Sequence, residues 1–199
     1  MANEQSKTLV LLGDSVFDNG VYVAPNQNCV THHLEHKLDP DTWKLDMRAV
    51  DGAVAANVAD QLNSKTVPTP STFVLSAGGN DALQYLDDIA NLNLMDFYRI
   101  KESFRNKYAQ ALKLIADYNQ PLIVCTIYNP KLPDPQTQKM AEAGLSFFND
   151  VITEEALKLK LPIIDLREVC AGDEAFANPI EPSEVGGDLI TNEIISYLL

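Results

Sequence analysis

The sequence has few of the features on which several large classes of protein depend. Its 199 residues include only three cysteines, an odd and small number that provides no disulfide framework. The apolar stretch Thr8–Leu12 is too short to cross a membrane, and no other stretch approaches the required length. The glycine motifs that cradle nucleotide phosphates, such as GxGxxG, do not occur. These absences argue against a disulfide-stapled domain, a membrane protein and the common nucleotide-binding enzymes.

Positive charge is also scarce. The sequence contains 15 Lys and Arg residues and 28 Asp and Glu residues, so the formal net charge is -13. Such a surface repels nucleic acid and anionic membranes, and we expect neither as a partner. A small-molecule substrate is the expected ligand, and the oligomeric state stays open. The polar segment Met1–Lys7 lacks the apolar core of a signal peptide, which favours a cytoplasmic protein.

Short apolar runs alternate with helical stripes along the chain, and we interpret residues 1–199 as a single α/β domain. The predicted strands are Thr8–Leu12, Trp43–Val50, Thr72–Ser76, Leu122–Ile127 and Pro162–Leu166. The predicted helices are Val30–Leu38, Val54–Leu62, a long segment from Phe97 to about Asn119, Leu145–Leu159 and Leu189–Leu198. Alternation of this kind predicts a parallel sheet with helices on both faces.

Polar and glycine-rich segments follow the carboxyl ends of the predicted strands, and a parallel sheet places these ends at one edge. They are Gly13-Asp14-Ser15, Asp51-Gly52, Gly78-Gly79-Asn80-Asp81 and, before the last helix, Asn178–Ser183. Ligands of such sheets bind beyond the carboxyl ends of the strands. We therefore expect these four segments to converge on one site.

Ser15 carries the hydroxyl that an acyl-transfer nucleophile requires, at a turn that Gly13 allows to bend sharply. Acyl transfer also needs donors for the developing oxyanion. Gly52 offers a backbone N–H that a substrate can approach closely, and Asn80 offers a side-chain amide. The plainer interpretation of Ser15 is a hydroxyl that only satisfies backbone groups at a turn.

With these residues the chain resembles the SGNH, or GDSL, hydrolase superfamily. Gly13-Asp14-Ser15 matches the first block of that superfamily, Gly52 the glycine of its second block, and Gly78-Gly79-Asn80-Asp81 its third block. The resemblance implies a flavodoxin-like three-layer α/β/α fold with a five-stranded parallel sheet. It implies Ser15 as the nucleophile, with its own N–H, Gly52 and Asn80 as oxyanion donors. It further implies an esterase or acylhydrolase of small carboxylic esters with short acyl groups, which needs neither a metal nor an organic cofactor.

The last block departs from the pattern of the superfamily. Asn178 stands where that family has an aspartate, Glu181 stands where it has the catalytic histidine, and no histidine follows His36. A glutamate can accept the proton of Ser15 if burial raises its pKa toward neutrality. We therefore expect Glu181 to be the base, with Asn178 and Asp14 as supporting residues.

Several alternatives stay open at this point. One alternative is that His32 or His33 supplies the base instead, and the spacing of Cys29, His33, His32 and His36 also allows a metal site. The missing histidine equally permits a catalytically inactive domain that binds an acyl or glycan ligand. Asn19 is interpreted as a turn residue, and Asp81 as the N-cap of a helix over residues 82–89.

Overall fold

Five short strands form one all-parallel sheet in the computed structural model, which describes residues 6–198. The strands are β1 (Lys7–Gly13), β2 (Trp43–Met47), β3 (Ser71–Ser76), β4 (Leu122–Cys125) and β5 (Ile163–Ile164). Their order across the sheet is β2-β1-β3-β4-β5, so β1 and β3 are central. This order reverses direction next to β1, and ligand sites of open α/β sheets lie at such a switch point.

Helices cover both faces of the sheet, which confirms the predicted three-layer α/β/α fold. They are α1 (Val30–Lys37), α2 (Val58–Asn63), α3 (Gly79–Leu83), α4 (Leu94–Ala116), α5 (Pro135–Lys158), α6 (Leu166–Val169) and α7 (Glu184–Ser196). Helices α2, α4 and α5 pack on one face, and α1, α6 and α7 pack on the other. Because both faces are covered, the strands read as continuous apolar runs in the sequence.

The two cores follow from the alternation of side chains along β1. Val10 and Leu12 pack with the α2, α4 and α5 face, whereas Leu9 and Leu11 pack with the α1 and α7 face. All four side chains are fully buried. Successive residues of a strand point to opposite faces, so one apolar run contributes to two cores.

The observed boundaries differ from the predicted ones where capping or hydrogen bonding intervenes. Strand β2 ends at Met47 because the N–H groups of Arg48 and Ala49 both donate to the Leu11 carbonyl, which ends the regular ladder. Helix α5 begins ten residues earlier than predicted, because Asp134 caps the Thr137 N–H at 2.7 Å. A proline at the first helical position suits that start, since its missing N–H has no helical partner there.

One local prediction was wrong. Asp81 is not an N-cap, since it lies inside α3, and the predicted helix over 82–89 is replaced by turns and a short 3₁₀ segment. Its Oδ2 instead accepts from the Ala55 N–H at 2.8 Å. This bond ties the loop after β3 to the loop after β2. Across the described residues, no helix is long and apolar enough to span a membrane.

Candidate active site

Ser15 lies immediately beyond the carboxyl end of β1, in a turn that only glycine permits at position 13. Gly13 has a φ of 124°, and a Cβ at that position would lie 1.7 Å from the Ser76 carbonyl oxygen. The buried Gln61 side chain binds both backbone polar groups of Gly13, because it accepts from the Gly13 N–H at 2.8 Å and donates to the Gly13 carbonyl at 2.7 Å. The chain therefore leaves the sheet sharply and presents Ser15 at the edge.

Glu181 lies on a loop that is anchored at nearly every residue. The Asn178 Oδ1 accepts from the N–H groups of Ile180 and Glu181 at 2.9 and 3.0 Å. The Tyr128 hydroxyl donates to the Ile180 carbonyl at 2.7 Å. The fully buried Asn19 donates to the Pro182 carbonyl at 3.1 Å. Bonds on both sides of Glu181 thus fix the backbone that carries its carboxylate.

Ser15 and Glu181 are brought together. Both are buried, and the Ser15 side chain acts as a hydrogen-bonding group toward the Glu181 carboxylate. Desolvation nevertheless dominates and raises the pKa of Glu181 to about 6, against an ordinary value of 4.5, with a smaller raising effect from the charge of Asp51. Its Oε2 is buried without a hydrogen-bond partner. The carboxylate is therefore more basic than an exposed glutamate.

Asp14 is a second buried carboxyl beside this pair. Burial raises its pKa to about 7, and the charge of Glu181 contributes in the same direction. Its Oδ1 accepts from the Val16 N–H at 3.2 Å and from the Ser76 hydroxyl at 3.4 Å. These contacts hold the turn that carries Ser15.

The two further oxyanion donors expected from the sequence lie on loops that contact each other. The Asn80 amide lines the pocket beside Ser15 and donates to the Ala53 carbonyl at 3.0 Å. An amide nitrogen has two protons, so one remains for a substrate. Gly52 has a φ of 78° and belongs to the loop that Asn80 holds, but it is not part of the pocket wall. Within residues 6–198, no acceptor takes the backbone N–H of Ser15 or of Gly52.

A pocket is lined by Ser15 and Asn80 together with residues of the loop after β3, α4 and α5. Its polar lining consists of Asp14, Ser15, Ser76, Asn80 and Glu181, with Tyr85 and Tyr128 as further hydroxyl-bearing residues. Aliphatic and aromatic side chains line the rest. About 930 Å³ of space, open solvent included, lies among these residues.

The histidines take no part in this arrangement. No histidine lines the pocket. The buried His33 instead contacts α7, with its Nε2 3.0 Å from the Glu184 carbonyl and its Nδ1 3.4 Å from the Asp188 carboxylate. Over the part of the chain that the structure describes, no cluster of three His, Cys, Asp or Glu side chains is arranged to hold a metal.

Asn19 and Gln61 are site residues that sequence reasoning missed. Asn19 was interpreted as a turn residue, yet it is fully buried and connects three segments, since it also accepts from the Val30 N–H at 2.9 Å. Both side chains satisfy backbone groups far away in the sequence. The sequence shows only that these two residues are polar. A polar residue can equally lie exposed on the surface, so the sequence does not reveal that these side chains are buried and bind distant backbone groups.

The fold and the site together define a class: an α/β protein in which a serine follows the first strand of a parallel sheet and faces a buried carboxylate. Comparison with known proteins agrees with this class. The profile of the GDSL-like lipase/acylhydrolase family matches residues 11–186. The chain therefore belongs to that family.

Solved structures of similar fold are numerous, although their sequences are distant. The lipase Lip_vut3 from a goat rumen metagenome has a TM-score of 0.73 at 18% identity, covering 96% of this chain and 97% of that chain. Phospholipase A1 from Streptomyces albidoflavus NA297 has a TM-score of 0.72 at 14% identity, covering 96% and 99%. A member of the lipolytic G-D-S-L family from Veillonella parvula DSM 2008 has a TM-score of 0.72 at 14% identity, covering 96% and 97%. No curated protein sequence matches the chain.

Proposed function

We propose that this protein is a serine hydrolase of carboxylic esters, in which Ser15 forms an acyl-enzyme and Glu181 replaces the usual histidine as general base. One observation carries the proposal: the Ser15 side chain faces a buried carboxylate with a pKa of about 6, and both groups line a largely apolar pocket. A general base works best when its pKa lies near the operating pH, and burial brings Glu181 into that range.

In the first half-reaction, the Ser15 Oγ attacks the ester carbonyl carbon and its proton passes to Glu181. The negative charge on the former carbonyl oxygen is held by the N–H groups of Ser15 and Gly52 and by the Asn80 amide. The tetrahedral intermediate then collapses, the C–O bond to the alcohol breaks, and protonated Glu181 returns its proton to the leaving alkoxide. The products are the free alcohol and an acyl ester on Ser15.

In the second half-reaction, water attacks the acyl ester while Glu181 removes a proton from it. Collapse of the second intermediate releases the carboxylic acid, and Ser15 recovers its proton from Glu181. Asp14 positions the Ser15 turn through Val16 and Ser76. The chemistry is the same for any acyl length, because the groups that react touch only the ester.

The proposal is tested by labelling and turnover together. An ester-reactive fluorophosphonate should label the chain once, at Ser15, and Ser15→Ala should lose both labelling and hydrolysis of p-nitrophenyl esters. Ser146→Ala, on the exposed side of α5, is the matched control and should change neither. Labelling at another residue, or equal turnover by Ser15→Ala, would overturn the proposal. A well-folded protein that is neither labelled nor active would favour a binding domain without catalysis.

A second experiment tests whether the fold supports catalysis when the aspartate and histidine of the superfamily are introduced at positions 178 and 181. The double variant Asn178→Asp with Glu181→His restores the aspartate and histidine of the superfamily. An aspartate at 178 can keep the bonds to the Ile180 and Glu181 N–H groups, so the loop should hold its shape. We expect Ser15-dependent esterase activity in this variant. Its absence in a folded variant would mean that Ser15 and the oxyanion donors are not aligned for attack.

A further inference from the structure

We propose that Arg48 is a positioning residue for Ser15, acting from outside the pocket through the end of helix α2 and the Gln61 side chain. This inference rests on the proposed chemistry at Ser15 and adds a residue that the mechanism above does not use. The Arg48 side chain is only 1% exposed. Burying a charge costs free energy unless the group is paired and hydrogen-bonded. The partners of Arg48 therefore show what its burial achieves.

The Arg48 guanidinium joins strand β2 to the end of α2. On one side, its Nε and Nη2 each lie 2.9 Å from the Asp46 Oδ2. On the other side, it donates to four carbonyl oxygens in the last turn of α2 and the segment that follows, those of Gln61 at 3.4 Å, Leu62 at 3.1 Å, Lys65 at 3.0 Å and Thr66 at 3.0 Å. The last carbonyls of a helix have no partner within the helix, and a positive charge is favourable there. Arg48 thus determines where the C-terminal end of α2 lies.

Helix α2 depends on such a contact because it has only six residues. Helices of this length are not stable on their own in water, and outside contacts must hold them in place. Gln61 lies in the last turn, and its side chain binds both backbone polar groups of Gly13. Gly13 begins the turn that presents Ser15. A shift of the end of α2 would therefore be passed through Gln61 to Ser15.

Lysine cannot make the same contacts as Arg48, although it carries the same charge. A guanidinium has five donors in a planar fork, whereas the three donors of an ammonium are on one atom. Arg48→Lys should therefore keep the ion pair with Asp46 and lose most of the bonds to the carbonyls of α2. Lys65 also pairs with Asp46, at 2.6 Å, so this carboxylate stays compensated in the variant. The substitution thus changes the geometry at the end of α2 without removing the charge.

The experiment measures the rate of fluorophosphonate labelling at Ser15 in the wild type, Arg48→Lys, Gln61→Met and the double variant, at a temperature where all four are folded. Neither Arg48 nor Gln61 lines the pocket in the described part of the chain. We therefore expect each single change to lower the labelling rate and the kcat for p-nitrophenyl esters by about ten- to a hundredfold, with KM changed by less than about twofold. The double variant should stay within about twofold of the slower single variant, because both residues act along one path.

Arg105→Lys is the matched control, because Arg105 pairs with three glutamates on α4 and α5 instead of with α2. It should leave the labelling rate unchanged even where it lowers the melting temperature. An equal fall in labelling in both lysine variants would assign the effect to general destabilisation and overturn the proposal. Losses that multiply in the double variant of Arg48 and Gln61 would also overturn it, because the two residues would then act independently.

Hydrogen exchange at the Gly13 N–H, followed by NMR, tests the same link without any need for activity. Arg48→Lys should speed this exchange by about tenfold, the effect of weakening one hydrogen bond, and Arg105→Lys should leave it unchanged. Unchanged exchange at Gly13 in a folded Arg48→Lys variant would overturn the proposal. If the wild type is neither labelled nor active, the proposed function fails, and the exchange rate still decides whether Arg48 holds the turn.

A second variant serves if Arg48→Lys does not fold. Asp46→Asn weakens the contact on the other side of the guanidinium and leaves Arg48 itself in place. It should also speed exchange at the Gly13 N–H, and an unchanged rate in this variant would overturn the proposal.

Discussion

Replacing Glu181 by glutamine should make the protein both less active and more stable at alkaline pH. The change keeps the size of the side chain and removes only its ability to ionise. At pH 8 we expect kcat/KM to fall by about two to four orders of magnitude, the usual effect of losing a general base. The gain in stability follows from the cost of holding a charge at this buried position.

The magnitude comes from the pKa of Glu181. Its ordinary value of 4.5 is raised to about 6 in the folded protein, mainly by desolvation. The folded state therefore keeps a proton that the unfolded state has already lost, and the free energy of unfolding falls as pH rises from about 4 to above 6. A shift of about 1.5 units corresponds to roughly 2 kcal/mol. Glutamine does not titrate, so the free energy of unfolding of the Glu181→Gln variant does not decrease for this reason.

Asp14 adds to the effect in the same direction. The charge of Glu181 helps to raise the pKa of Asp14, so removing that charge makes ionisation of Asp14 less costly above pH 7. The stability difference between the Glu181→Gln variant and the wild type should therefore grow from pH 4 to pH 8 by about 2 kcal/mol or somewhat more.

Urea unfolding of both proteins at pH 4 and pH 8 measures this difference. Glu174→Gln is the control, because it makes the same chemical change on an exposed side chain of a nearby loop. Other carboxylates are common to all three proteins and cancel in the comparison. A stability difference between wild type and Glu181→Gln that is the same at both pH values would refute the reasoning.

Four further predictions concern the surroundings of Glu181. Asn80→Ala should lower kcat by about a hundred- to a thousandfold without unfolding the protein; unchanged turnover would exclude an oxyanion role. The charge of Asp51 raises the pKa of Glu181, so Asp51→Asn should move the acidic limb of the kcat/KM profile, expected near pH 6, to lower pH. Asn19→Ala should lower kcat more than it changes KM, because it frees the Pro182 carbonyl beside Glu181, the proposed base; an intact kcat in a folded variant would argue against a positioning role for Asn19. His33→Gln should lower the melting temperature and leave kcat within about twofold, since the polar contacts of the His33 ring among the described residues are with α7; an inactive but folded variant would indicate that a histidine takes part in the mechanism.

Much of the fold was predictable from local sequence patterns. The five strands and the long helices follow from apolar periodicity, and their alternation leads to a parallel sheet covered on both faces. The convergence of the segments around Ser15 and Asn80 follows as well, because parallel strands bring their carboxyl ends to one edge. Element boundaries were less predictable, as at α5, where the Asp134 cap starts the helix ten residues before its apolar stripe becomes regular.

The sequence by itself determined the order of the elements and led to the proposed nucleophile Ser15 and the proposed base Glu181, because these depend on residue type and spacing along the chain. Only the tertiary structure decided whether Glu181 is buried against Ser15, since its pKa depends on the solvent it loses when distant segments pack around it. The same holds for Asn19 and Gln61, whose partners lie far away in sequence, and for the pocket, which three separate segments enclose. Reactive groups can be identified from local chemistry, whereas their environment is a property of contacts between residues that the linear chain keeps apart.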